Sequence, residues 1–476
     1  MQTSPINLKS MKKFLSVWSA MLLLSLLSSS ACSESRENPN PGHPDEYIFY
    51  DKPFDRVPTI DNMRIYEAAP RVFAKSNSLQ AIRTRLDAIQ KLHVNVLWIM
   101  PVFAMSSQQT GGRAPFGSPY CIRDFYALDL EFGKVEDLRA LVEEAHERGI
   151  AVILDLVTNH TGWDHRWVTE HPEWYARRNG EMYSPDSGST TYTNSVQLDW
   201  TNRELYQEFI RVMKYWIAVA NIDGYRCDSA DWIPVDFWEE AIRALRNFQP
   251  GRQVIMLAEG TSVERLGAGF DLNYAWRFCD TLEALFAGTA SVEELLAADS
   301  YEWQSIATTR KSKMRFSTNH DRTASASPVE RYGSVDGSIA AFTIAALMGG
   351  VPMIYSSQEI GYAQRISIFK NDAVVMEWNS GTETAERFAR IMEIASEETF
   401  RKGETRPLDL PNVVGFERRY GTDEVLVLVN PSSEPAAPEI PEDWAEARCQ
   451  DLLKQEEFSG SLTQIEGYGV RVLRRL

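Results

Sequence analysis

Cysteine is scarce in this 476-residue chain. Of its five cysteines, Cys121, Cys227, Cys279 and Cys449 are scattered and form no C-x-x-C pair, which excludes zinc-ribbon and dithiol redox chemistry and leaves buried free thiols as the expectation. Histidine is rare as well, seven in all, with no H-E-x-x-H run. Positive charge is in deficit: 49 Lys and Arg stand against 66 Asp and Glu, a net charge of −17. That balance repels phosphate backbones and argues against a nucleic-acid partner. Internal repeats and heptads are missing too. What remains is an ordinary globular composition, 44% apolar and 24% charged, with ample material for a large core. The length suggests two or three domains, unless one α/β barrel takes about 250 residues or more as a single unit.

The N-terminus stands apart. A basic start at Met11–Lys13 precedes an apolar run over Phe14–Leu27 and the small residues Ser28-Ser29-Ser30-Ala31-Cys32. This resembles a bacterial lipoprotein signal with Cys32 as the lipidated residue, although Ser29 stands where leucine is usual; ordinary secretory cleavage is the other reading. Residues 1–32 are then a signal peptide, and 33–58, proline-rich at the outset, a flexible tether to the membrane. The expected location is the cell envelope, as an outer-membrane or periplasm-facing lipoprotein, or otherwise outside the cell.

From Met63 onward short β-like runs alternate with amphipathic helical stretches, the pattern of a parallel sheet built from βα units. Eight runs are expected as strands: 63–66, 95–100, 151–157, 223–228, 254–259, 269–272, 314–318 and 351–355. Eight is the number that closes a (β/α)8 TIM barrel, here assigned to 59–399. After the third strand the chain spends a long stretch, about 161–200, before the next helix, well beyond an ordinary βα loop. With His160 just before it, it carries Trp163, His165, Trp167, Trp174, Tyr175, Tyr183 and Tyr192, rings suited either to stacking on sugars in a cleft wall or to filling the insertion's own core. Beyond 400 the helical pattern gives way to runs separated by Pro, Gly and Ser, and residues 400–476 are expected to form a C-terminal β-sandwich domain.

Polar residues sit where a core would not choose them. In Gly224-Tyr225-Arg226-Cys227-Asp228-Ser229-Ala230-Asp231, strand alternation puts Arg226 and Asp228 on one face, so a cation holds a carboxylate ionised; taken alone, the pair has a purely structural reading as well. The third strand ends in Asp155 followed by Asn159-His160, the fifth in Glu259, and the seventh in Asn319-His320-Asp321. In a barrel these ends open on one face. Clustered carboxyls separate their pKa values by burial and repulsion, so one acid donates while another attacks, as retaining glycoside cleavage requires. A zinc or di-metal centre is the competing reading of the same acids and imidazoles.

The four segments, in this order, resemble the signature regions of the α-amylase family, glycoside hydrolase family 13. The resemblance covers roughly 60–400 and includes Gly117-Ser118-Pro119-Tyr120 with Asp124-Phe125-Tyr126, and Gly350-Val351-Pro352-Met353-Ile354-Tyr355 with Gln358-Glu359. It implies Asp228 as nucleophile, Glu259 as general acid/base and Asp321 as the third acid. Arg226 would orient and ionise Asp228, and Asp155 would support the arginine. His160 and His320 would bind sugar hydroxyls, with Tyr120 as the platform beneath the reactive sugar.

The expected activity is retaining hydrolysis of α-1,4-glucosidic bonds in starch or maltooligosaccharides through a covalent glycosyl-Asp228 intermediate, with no organic cofactor. An α-glucosidase or a transglycosylase with the same site is the nearest alternative, and a non-catalytic surface glucan-binding lipoprotein is the alternative from another class. One departure stands out: where family members often carry a Lys-His pair beyond the nucleophile, this chain has Asp231-Trp232, and Trp232 offers a stacking surface on the leaving-group side. Asn159 and Asp199 match two calcium-ligand positions, though both residue types are also common in turns.

Overall fold

In the computed structural model, which describes residues 47–107, 117–186, 192–445, 447–458 and 464–476, the eight apolar runs close into a parallel barrel. Its strands are β1 (Ile65–Ala68), β2 (Val96–Ile99), β3 (Ala151–Val157), β4 (Gly224–Asp228), β5 (Ile255–Ala258), β6 (Leu272–Tyr274), β7 (Ser312–Arg315) and β8 (Val351–Tyr355). Each strand pairs with its neighbour in the chain, and β8 closes on β1. Three lie elsewhere than expected, β1 being shifted two residues along the chain. Gly269 terminates the helix Val263–Ala268 rather than opening a strand, and the Asp271 carboxylate accepts the Met256 amide at 3.0 Å, so β6 starts three residues late. β7 ends early because Ser317 is drawn out of the ladder: its carbonyl accepts the Tyr332 hydroxyl at 2.6 Å and its Oγ the Gln358 amide at 2.7 Å.

Alternation along the strands sorts the side chains. Outward positions pack under the surrounding helices in the main core. Inward positions fill the barrel with Ile65, Val96, Ile153, Ile255, Leu257, Leu272, Met314 and Met353. Two residues further along, toward the C-terminal mouth, the inward set turns polar: Glu67, Asp155, Arg226, Asp228 and Glu259, with Trp98 and Tyr274 between them. Close packing of β4 on β5 requires glycine at its start. Gly224 has φ +148°, and a Cβ there would lie 1.9 Å from the Ile255 carbonyl oxygen.

The insertion after β3 is packed into the main core under the barrel helices. Trp167, Trp174, Tyr175 and Trp200 are buried, with Trp167 and Trp200 packed against Phe209. Half of the aromatics expected in a cleft wall, His165, Trp167, Trp174 and Tyr175, are therefore core; Tyr192, 42% exposed, is the large exposed ring among them.

Residues 47–58, expected as the end of a tether, pack on the barrel: the Tyr50 amide donates to the Ala218 carbonyl at 2.8 Å, and Phe54 stacks on His146 at 4.2 Å. The rest of the tether, the signal segment and Cys32 lie outside the described residues. Cys121, Cys227, Cys279 and Cys449 are buried free thiols, as expected.

Among the described residues the C-terminal region is one six-stranded antiparallel sheet, not the expected sandwich. Its strands are β9 (Glu404–Leu408), β10 (Val414–Tyr420), β11 (Asp423–Val429), β12 (Cys449–Asp451), β13 (Glu456–Phe458) and β14 (Val470–Arg475), in the order β9-β10-β11-β14-β12-β13. No second sheet is needed, because Val414, Phe416, Val425, Val427, Val429 and Val472 bury one face in the barrel's own outer core. The other face, with Leu426, Leu428 and Leu473, is covered by Trp444 and its neighbours.

Candidate active site

Arg226 is the centre of the polar mouth. Fully buried on β4, it lies opposite Asp155 of β3 and Leu257 of β5 in register. Nη1 donates to Asp155 Oδ1 at 2.8 Å and to Asp228 Oδ1 at 3.0 Å. Nη2 lies 2.9 Å from Glu259 Oε2, and Nε donates to the Tyr274 hydroxyl at 3.2 Å. One guanidinium thus gathers three carboxylates that the chain supplies from three strands. Its charge is stabilised further by the Trp98 ring, 5.1 Å from Cζ.

The carboxyls are not equivalent. Both inward contacts of Glu259 fall on Oε2, which accepts the Ser229 amide at 2.7 Å and faces Arg226. Burial outweighs the guanidinium and pushes the Glu259 carboxyl up to about 8, with the Asp228 and Asp321 charges adding to the rise. Burial also lifts Asp155, to about 6, against the pull of Arg226. Asp155 Oδ2 accepts the Trp98 indole at 3.2 Å and the Tyr120 hydroxyl at 3.0 Å. Asp321 is half exposed (49%), and its Oδ2 accepts the Asn319 amide at 3.3 Å.

His320 sits between these groups. Nδ1 is 2.5 Å from Glu67 Oε1, and Nε2 is 3.0 Å from the Tyr120 hydroxyl and 3.3 Å from Asp321 Oδ1. Burial lowers its pKa, but the Asp321 and Glu67 carboxylates prevail and push it up to about 9. His160 behaves oppositely: burial takes it below its usual range, its Nε2 faces the Tyr120 carbonyl at 3.0 Å, and its ring lies parallel to Tyr192 at 6.3 Å. Trp232, on the turn Ala230–Trp232 after β4, is 52% exposed.

The structure brings Asp228, Glu259, Asp321, Arg226, Asp155, Tyr120, His160 and His320 into one site. Three members were missed by sequence reasoning. Glu67 lay one residue past the expected end of β1, Trp98 had the look of core within an apolar run, and Tyr274 followed a strand placed too early. The signal for all three is the inward parity of their strands.

Asn159 and Asp199 do not make a calcium cradle. The Gln197 amide nitrogen donates to Asn159 O at 3.0 Å, Asn159 Oδ1 at 3.0 Å and Leu198 O at 3.2 Å, so a side-chain amide occupies the place between those oxygens. Asp199 Oδ1 accepts from the amide and hydroxyl of Thr201, at 3.0 and 2.7 Å. Among the described residues no cluster of three His, Cys, Asp or Glu side chains is placed to hold a metal ion.

Comparison with known proteins bears on this arrangement. The family model described as "Alpha amylase, catalytic domain" matches residues 65–405. The chain is 27% identical over 348 residues to "Alpha-amylase 3" of Dictyoglomus thermophilum, a match over 64% of this chain and 65% of that protein. Against the "Oligo-1,6-glucosidase" of Bacillus cereus it is 28% identical over 203 residues, 36% of this chain and 35% of that protein. The chain thus spans less than two thirds of the length of these relatives. The crystal structure of a maltogenic alpha-amylase, AmyB from Thermotoga neapolitana, superposes with a TM-score of 0.76 at 24% identity, covering 88% of this chain and 99% of that one, which supports the fold.

Proposed function

Because the chain belongs to the α-amylase family of catalytic domains, we propose that it is a retaining glycoside hydrolase cleaving α-1,4-glucosidic bonds in starch or maltooligosaccharides. The observation that carries the reading is the sharing of Arg226: Nη1 holds Asp228 and Nη2 lies against Glu259. One planar cation ties the two carboxyls to neighbouring positions, and retention works with such a pair about 5–5.5 Å apart.

The chemistry follows from that asymmetry. Glu259 Oε1 donates its proton to the glycosidic oxygen as the bond to the leaving sugar breaks. Asp228, held by Arg226, attacks the anomeric carbon and forms the glycosyl ester. Glu259, now ionised, takes a proton from water, which displaces Asp228 and returns the α-anomer. Asp321 and His320 bind hydroxyls of the reactive sugar, the imidazolium acting as donor, while His160 in its neutral form does the same nearby and the Tyr120 ring lies beneath. Trp232 offers its exposed face to the leaving-group sugar.

Incubation with maltooligosaccharides and starch, read as a product profile, tests the proposal. Release of shorter α-anomeric oligosaccharides is expected, with Asp228→Asn losing at least about 10⁴-fold in rate while keeping its fold. Near-normal turnover by Asp228→Asn would sink the assignment. Longer products signal transfer to an acceptor sugar, release of glucose alone an α-glucosidase, and binding without release a glucan-binding role.

A further inference from the structure

Asp231 is a charged residue three positions after the nucleophile, and it does not point at the cleft. Its Oδ2 accepts the backbone N–H of Thr261 at 2.7 Å and of Ser262 at 3.2 Å, the second and third residues after Glu259. Its own carbonyl is held by Arg265 Nη2 at 2.7 Å, and the neighbouring Ala230 carbonyl by Arg265 Nε at 2.8 Å. Two more rungs join the same loops: the Ala230 amide donates to the Glu259 carbonyl at 3.0 Å and the Ser229 amide to Glu259 Oε2 at 2.7 Å. The loop after β4 and the loop after β5 are thus laced together on both sides of Glu259.

Gly260 is what lets them approach. It has φ +151°, and a Cβ there would lie 2.3 Å from the Asp231 carboxyl carbon. Only a residue without a side chain allows the carboxylate to reach the amides beyond it. Thr261 and Ser262 precede a helix of only six residues, Val263–Ala268, whose N-cap Ser262 Oγ accepts the Glu264 amide at 3.2 Å, so the carboxylate fixes the stretch between Glu259 and that cap.

From this lacing we infer that Asp231 is a positioning residue for the acid/base, holding the Glu259 loop where Oε1 reaches the glycosidic oxygen. The inference rests on the reading of Glu259 given above. In this arrangement Asp231 touches no substrate, and the cleft side of the same turn is left to Trp232. A carboxylate that acts through Glu259 matters only where proton donation matters. Sugar leaving groups need the proton; fluoride departs without it.

The test compares kcat/KM, which reports formation of the glycosyl-enzyme, for a maltooligosaccharide and for an α-glycosyl fluoride. Asp231→Ala is expected to lose about 10²-fold on the oligosaccharide and at least tenfold less than that on the fluoride. Asp231→Asn keeps the shape and an acceptor oxygen, and is expected to show the same selective loss in smaller measure, with a melting curve close to that of the parent. Equal losses on both substrates, or full oligosaccharide activity in either variant, would overturn the inference. Failure of the underlying reading looks different: the unmodified protein would then cleave neither substrate.

Discussion

Glu259 meets an amide donor and a guanidinium charge with the same oxygen. Ser229 and Arg226 both address Oε2; burial nevertheless holds the carboxyl protonated up to about pH 8. A raised pKa on an acid extends its protonated form to higher pH, so donation is intact at neutral pH and is lost as pH rises through the shifted value. The expected kcat/KM profile for a maltooligosaccharide is level through neutrality and falls about tenfold per unit above that point. With an α-glycosyl fluoride the same limb should be absent. A decline beginning near the usual glutamate range would show Glu259 to be ionised and the assignment wrong. The acids were legible in the sequence because Asp228 and Glu259 stand at strand ends where apolar residues would otherwise run on, and Asp321 stands in the polar stretch Asn319–Asp321 that follows another. Glu67, Trp98 and Tyr274 were not, because their meaning depends on which parity of a strand faces the barrel axis. That parity is fixed by register, and a strand placed three residues early, as β6 was, carries its signal to the wrong residue.

At the scale of elements, the insertion after β3 changes meaning most between sequence and structure. Its aromatics look alike in composition, yet Trp167, Trp174 and Tyr175 are buried and Tyr192 is not; a loop's inside and outside follow from contacts distant in the chain, such as those with Phe209. The same segment ties back to the end of β3 through Gln197, whose amide nitrogen reaches three oxygens where the sequence suggested a cation. A neutral amide donor stands where the cation would. Melting curves in chelator and in millimolar calcium should therefore coincide, while Gln197→Ala should lower stability by about 1–3 kcal/mol by leaving buried acceptors unmatched. A fall in melting temperature of the unaltered protein on chelation would show that a cation holds this region after all.

At the scale of the whole molecule, the C-terminal sheet belongs energetically to the barrel. Its inner face, Val414, Phe416, Val425, Val427, Val429 and Val472, shares one core with Ile339, Phe342, Ile344 and Phe388 of the last barrel helices. Polar ties cross the same boundary: Thr405 donates to the Met348 carbonyl at 2.7 Å, and the buried Arg418 donates to the carbonyls of Phe400 at 2.5 Å and Met348 at 3.3 Å. Removing residues 404–476 would expose that apolar face and strand those carbonyls, although every residue proposed for catalysis lies before 404. Folding stability of a domain is only about 5–15 kcal/mol, and burying one unpaired charge in such a core costs more than about 4 kcal/mol. Val427→Asp is therefore expected to lower the melting of the barrel and the sheet together, in one calorimetric transition with loss of activity at the same temperature. The truncated chain is expected to be insoluble. A soluble, active fragment ending at 403, or two separate transitions in Val427→Asp with the barrel unmoved, would show instead that the sheet is an independent appendage and that the site needs only its own eight strands.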